Sequence, residues 1–227
     1  SSAFCSVEWR TAFIAGRIRT RKTSPETCSS LPMTLARASD SKSMKSKSRI
    51  LMLAAAVTMI LVLVFPLWKI TLIAPQYPKG IHMYIWINKI SGSEPSTLQN
   101  INILNHYIGM KPIKPESIPE LQYMQYIIMG IAGLAFLLAL FNKWKLNLAW
   151  LIIVAVVGIL SIYDFYLWEW DYGHNLNINA PIKIEGMAYQ PPLIGKKIIL
   201  NFTAISFPMT GALFMILSFI SGSLAIY

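Results

Sequence analysis

The sequence predicts an all-α membrane protein, a four-transmembrane-helix bundle that carries two ordered extracytoplasmic segments. Of its 227 residues, 55% are apolar and only 13% charged, against about 25% charged in a soluble globular domain. The apolar residues also gather into four runs almost free of charge: Ile50–Trp68, Tyr123–Phe141, Leu148–Leu167 and Ile198–Tyr227. At about 1.5 Å per residue, a run of roughly 19 residues crosses a hydrocarbon core of about 30 Å. In lipid the backbone must satisfy its own hydrogen bonds, so such runs are expected to be helical. The predicted helices cover about 50–68, 123–141, 148–167 and 198–226, with external segments at 69–122 and 168–197.

The first 43 residues differ from the rest. They hold five Arg and two Lys, whereas residues 44–227 hold one Arg and twelve Lys. Met44-Lys45-Ser46-Lys47-Ser48-Arg49 leads straight into the first apolar run, which is how many bacterial membrane proteins begin. Met44 therefore reads as the initiator, with residues 1–43 a non-native or disordered extension read through from upstream sequence. A targeting segment is the alternative, because transit peptides are rich in Arg and Ser and poor in acids. Both cysteines, Cys5 and Cys28, fall in this stretch, so residues 44–227 offer neither a disulfide nor a thiolate metal site. The net charge of +10 does not indicate nucleic-acid binding. No basic face with interleaved aromatic residues accompanies it.

Charge placement sets the expected orientation. Lys42, Lys45, Lys47 and Arg49 precede the first run, and Lys143 and Lys145 occupy the turn between the second and third. Short basic flanks stay cytoplasmic, so both chain ends are expected inside the bacterial inner membrane, with segments 69–122 and 168–197 outside. Phe65, Trp68, Tyr123, Tyr126, Trp144 and Trp150 stand near the run ends, where amphipathic rings favour the headgroup level. Pro66 falls in the last turn of the first predicted helix, and Pro208 is expected to kink the fourth.

The first external segment has structure of its own. Lys69–Ile73 reads as a short strand, Ala74–Gly80 as a turn, and Ile81–Ile90 alternates like a second strand, a β-hairpin-like part. Ser96 then caps a short helix with Leu98, Ile101, Asn105 and Ile108 at helical spacing and Gly109 as its stop. Asn102 and His106 share its polar face. The second external segment, rich in Gly, Pro and Asn, is expected to join the first as a cap over the bundle.

His82, His106 and His174 all fall in these segments, as do Met83, Met110 and Met187. Imidazole with thioether sulfur is a ligand set suited to copper, since soft thioethers favour Cu(I). His106 and Met110, four residues apart, would share a face if their helix continued past Gly109. Against this, three histidines without repeated spacing are ordinary, and Met commonly fills irregular packing gaps. Asp164, near the outer end of the third run, is an ionisable group at membrane depth, where such groups usually face a bundle interior or an aqueous cavity. Glu169 and Asp171 extend it into a small acidic cluster that suits a cation path. No glycine-rich phosphate loop, HExxH pair, nucleophile elbow or haem-attachment motif is present, and the sequence is read as non-enzymatic.

Three stretches together carry a resemblance: Pro66-Leu67-Trp68-Lys69-Ile70-Thr71-Leu72-Ile73-Ala74-Pro75-Gln76-Tyr77-Pro78, Leu104-Asn105-His106-Tyr107-Ile108-Gly109-Met110, and Tyr163–Leu176 with Gln190-Pro191-Pro192-Leu193-Ile194-Gly195. They resemble an uncharacterised multi-pass membrane protein encoded beside nitrous oxide reductase and its copper-insertion factors in some denitrifying bacteria. The resemblance covers nearly everything after Met44. It implies a non-catalytic accessory protein that supports maturation of, or electron supply to, a periplasmic copper enzyme. Its partners would be the bilayer and the other membrane or periplasmic proteins of that system. The alternative is a small transporter or channel component with Asp164 on its cation path.

Overall fold

A computed structural model describes residues 31–182 and 188–226, with side chains from residue 45 onward. The chain divides into two units, Ser1–Ser41 and Lys42–Tyr227. Of the first, residues 31–41 are helical; the fold belongs to the second. In chain order the elements are α1 (Leu31–Leu61), β1 (Trp68–Ala74), β2 (Tyr77–Ile85), β3 (Ile90–Gly92), α2 (Thr97–Ile108), α3 (Glu120–Phe141), α4 (Trp144–His174), β4 (Gly195–Ile199), β5 (Phe202–Pro208) and α5 (Thr210–Leu224).

The all-α expectation is overturned by a five-stranded antiparallel sheet in the order β3-β2-β1-β5-β4. The fourth predicted span is the main casualty. Its first third is the hairpin β4–β5, which turns at Leu200, a residue with φ 53°, and Asn201. The sheet claims these residues because β5 pairs with β1 along its length, from Trp68↔Pro208 to Ile73↔Thr203. Pro208 accordingly ends a strand and kinks no helix, and α5 has only 15 residues. The first predicted span is also too long: α1 ends at Leu61, Pro66 lies in the following turn, and Trp68 already belongs to β1. Among the described residues, only α3 and α4 are long and apolar enough to cross a membrane. A bundle of four spanning helices is therefore excluded.

Helices α1, α3, α4 and α5 do share a core. Met52, Ala55 and Met59 of α1 meet Ile131, Ala135 and Leu138 of α3, with Trp150 of α4 fully buried among them. Small residues allow close approach, and hydroxyls tie the backbones together, as expected where apolar helices lack water. Ser218 Oγ donates to Ala55 O at 2.8 Å and Ser221 Oγ to Leu51 O at 2.7 Å. The indole N–H of Trp150 donates to Ile131 O at 2.9 Å.

This assembly has two unlike ends. At one, Ser48 Oγ reaches Ala225 O, Asn147 Nδ2 reaches the same carbonyl, and Asn142 Nδ2 reaches Lys45 O. That end gathers Lys45, Lys47 and Arg49 with Lys143 and Lys145. At the other, the central strands β1 and β5 connect to α1 and α5, and the sheet begins. The outer sides of α3 and α4 between these ends are a broad apolar surface, with Leu140, Ile152 and Ile159 each more than half exposed.

The sheet has one buried face. Trp68, Ile70 and Leu72 of β1 stand opposite Ile85, Met83 and Ile81 of β2. They pack on Ile101 of α2 and on Phe165, Trp168 and Tyr172 of α4. Helix α4, at 31 residues, is about 46 Å long at about 1.5 Å per residue, well beyond a hydrocarbon core of about 30 Å. Its last two turns, from Leu167 on, pack against the sheet. The predicted strand at 69–73 lies within β1 and the helix stopped by Gly109 is α2, but β2 starts at Tyr77, inside the predicted turn, and ends at Ile85, so the strand expected over Ile81–Ile90 is only partly present.

Candidate functional site

The histidines do not converge. His82 lies on β2 opposite Thr71, and its Nδ1 is 3.0 Å from Thr71 Oγ1. Partial burial, aided by the Lys69 ammonium, lowers its pKa below the usual imidazole range, so it is neutral at pH 7. His106 is exposed and meets Tyr107 edge-on. His174, in the last turn of α4, is exposed, stacks on Trp170 at 4.6 Å and donates from Nδ1 to Trp170 O. The segment after α4 docks on the end of α2, through Asn177 N–H to Gly109 O and Ile182 N–H to Tyr107 O. His106 and His174 therefore flank one docked region. Among the described residues, no three His, Cys, Asp or Glu side chains group as a metal site. Met187 lies outside the described residues.

His106 and Met110 part company at Gly109. That glycine takes φ 82°, a left-handed conformation that ends α2. Met110 then turns back, its N–H bonded to Asn105 O at 2.8 Å, and its side chain packs inward between two apolar clusters. Asn102 clamps the next stretch, accepting from Ile113 N–H at 2.7 Å and donating to Ile113 O at 3.1 Å. The polar face predicted for α2 thus serves its own connection.

Asp164 lines a large apolar groove of about 630 Å³, bounded by the sheet end carrying Trp68 and Trp86 and by α3, α4 and α5. Glu120, at the start of α3, is the other ionisable residue in its wall. Asp164 is exposed into this space.

One member of the acidic cluster named from sequence is the most unusual. Glu169, one turn beyond Phe165, is 0% exposed, and neither carboxylate oxygen has a hydrogen-bond partner among the described residues. It lines a small chamber of about 50 Å³ together with Met83, Asn105, Met110, Tyr172 and Tyr189. The hydroxyl of Tyr189, 1% exposed, also has no partner, and neither does the indole N–H of neighbouring Trp168. Among the described residues, no Lys, Arg or His lines this chamber. Burial alone pushes the Glu169 carboxyl up to about 7, because a charge without counterion or hydrogen bond is costly in a dry interior. Asp171, two residues on, shows the contrary environment. Lys111 Nζ bonds it at 2.7 Å and Asn175 donates to it, and these partners hold its carboxyl below the usual range.

The chamber is closed by a specific contact. Tyr189 reaches it because residues 188–190 lie on the last turn of α4, with Tyr189 N–H donating to Gly173 O at 2.9 Å. A Cβ at Gly173 would stand 2.4 Å from the backbone of Gln190. Only glycine admits this approach.

No protein-family model and no curated protein matches the chain. Its function rests on its own residues.

Proposed function

We propose that this chain is a non-catalytic accessory protein of a bacterial inner membrane, holding its sheet on the periplasmic side in support of a copper enzyme such as nitrous oxide reductase. The observation that carries the membrane part is the pairing of two unlike ends with an apolar flank. Helices α3 and α4 are long and apolar enough to cross, their outer faces expose Leu140, Ile152 and Ile159, and their tight turn carries Lys143 beside Lys45 of the other basic flank. Basic turns of this kind stay cytoplasmic. The α3–α4 turn is therefore inside and the sheet outside.

The role toward a copper enzyme follows from the resemblance over residues 66–78, 104–110, 163–176 and 190–195. Those stretches build β1, the end of α2, the outer part of α4 and the edge leading to β4, all on the sheet side. Deleting the gene and measuring copper in purified nitrous oxide reductase tests this role. Copper-deficient enzyme indicates maturation, and copper-replete enzyme starved of reductant in cells indicates electron supply. Enzyme normal in both respects overturns the reading.

A second reading draws on Asp164, which shares a groove with Glu120 and would serve a cation path. Ion flux in proteoliposomes, abolished by Asp164→Asn, would favour it, and flux absent from the wild type removes it.

A further inference from the structure

The groove beside Asp164 has a largely apolar wall and one acidic end. At about 630 Å³ it lies within the usual pocket range of about 300–1,000 Å³. Its two carboxylates stand at one level, because α3 and α4 run antiparallel from a shared turn at Asn142 and Lys143. About 21 residues separate each acid from that turn, roughly 32 Å at about 1.5 Å per residue. That matches a hydrocarbon core of about 30 Å, so on the membrane reading above both acids stand at the outer headgroup level. The rest of the groove runs inward. Ile128 of α3 and Gly158 of α4 line it roughly 9–12 Å nearer the turn, and α5 adds Met215. A Cβ at Gly158 would meet nothing within 4 Å, so the absent side chain leaves space there.

The side-chain donors of the wall are engaged elsewhere. Trp68 Nε1 donates to Ser206 Oγ at 2.7 Å, Trp86 Nε1 to Ser91 Oγ at 2.8 Å, and Ser161 Oγ to Val157 O at 2.8 Å. The indole N–H of Trp168 is buried and presents no surface to a guest. What the groove offers is acceptor oxygen, from exposed Asp164 and half-buried Glu120. Two like charges at an apolar rim attract a cation and repel a fatty acid or any other anionic head. A quinone, whose carbonyls accept, meets no open side-chain donor among the described residues. We infer that the groove holds one aminophospholipid of the outer leaflet, its acyl chain along Ile128, Gly158 and Met215 and its primary ammonium between Asp164 and Glu120. This rests on the membrane part of the proposed function. A primary ammonium has three N–H donors, enough for both carboxylates in charge-assisted bonds, whereas a trimethylated one has none. Lys89, whose Nζ lies 4.8 Å from the centroid of the groove-lining Trp86 ring, offers the lipid phosphate a cation on the sheet side.

The test uses the full chain, delipidated in non-ionic detergent and studied by native mass spectrometry. Phosphatidylethanolamine, phosphatidylcholine and phosphatidylglycerol with identical acyl chains are added separately. One phosphatidylethanolamine per chain is expected, held about tenfold or more tightly than either of the others. Asp164→Asn with Glu120→Gln, which keeps shape and removes charge, should abolish that preference. Gly158→Leu should weaken retention by blocking the tail, while leaving both carboxylates in place. Its side chain enters open space, and leucine is the better helix former, so the variant folds. As a second readout, phosphatidylethanolamine should raise the melting temperature of the parent chain and not that of the double variant. Equal retention of the three lipids, a preference that survives the double variant, or undiminished retention by Gly158→Leu would each overturn the inference. Should the preference be absent while positions 79 and 143 label from opposite sides of the membrane, the lipid site is wrong and the membrane reading stands. Labelling of both positions from one side would remove the membrane reading itself.

Discussion

Removing the ionisable oxygen of Glu169 is expected to stabilise the protein at alkaline pH and to do nothing at acidic pH. The carboxyl titrates near 4.5 in the unfolded chain and near 7 in the folded one, so the folded state binds the extra proton between those values. Stability therefore falls as pH rises from about 4.5 to about 7 and is level on either side. The size follows from the shift: about 2.5 units at about 1.36 kcal/mol each gives roughly 3 kcal/mol. Glutamine keeps the shape and cannot ionise, so the Glu169→Gln variant should lack this slope. For a chain of this length roughly 3 kcal/mol corresponds to about 6–12 °C in melting temperature. Thermal unfolding in detergent, from pH 4 to pH 8.5, compares the two proteins directly. Every other titrating group contributes to both curves and cancels in the difference. A wild-type minus variant difference that does not change with pH would refute the claim that Glu169 is buried without a counterion.

Three further perturbations probe the surroundings. Gly173→Ala drives a methyl into the Gln190 backbone, and should cost about 1–3 kcal/mol while exposing Tyr189 to solvent, seen as a change in its fluorescence quenching. Gly222→Ala places Cβ 2.4 Å from the Trp150 ring; overpacking of about 1–3 kcal/mol is expected, with a lower melting temperature. Asp171→Asn removes an ion pair whose partners are 48% and 40% exposed, so the loss should stay below about 1 kcal/mol. That contribution belongs to the ionised form of a carboxyl with a depressed pKa, so it is present at neutral pH and disappears as pH falls below the ordinary carboxylate range; melts at pH 7 and pH 3 check it.

Local signals were the legible ones. Gly109 stops α2 because a left-handed residue follows the last helical turn, and the alternation from Ile81 matches the buried and exposed faces of β2. The apolar run after Ile198 was not legible as strands. A short apolar stretch fits a buried strand or a helix equally by composition, and the decision came from β1, more than 120 residues away, which offers β5 a pairing edge. Asp164 drew attention by its depth in an apolar run, yet it faces a groove. Glu169 passed as one acid among three, although its position was readable. Phe165, Trp168 and Tyr172 stand at helical spacing, and Glu169 lies on the same stripe, so an apolar face that buries against a sheet must bury it too. The copper ligands expected from sequence were His82, His106 and His174 with Met110 and Met187; Gly109 turns Met110 inward and leaves His106 at the surface, and Met187 lies outside the described residues.

The orientation of the sheet is the claim on which the functional reading depends, and cysteine labelling tests it most directly. With Cys5 and Cys28 replaced by serine, the chain has no other cysteine. Single Lys79→Cys, on exposed β2, and Lys143→Cys, at the α3–α4 turn, can then be probed in intact spheroplasts with a membrane-impermeant maleimide. The account predicts labelling at position 79 without lysis and at position 143 only after lysis. The reverse pattern, or both positions labelled from one side, would contradict it.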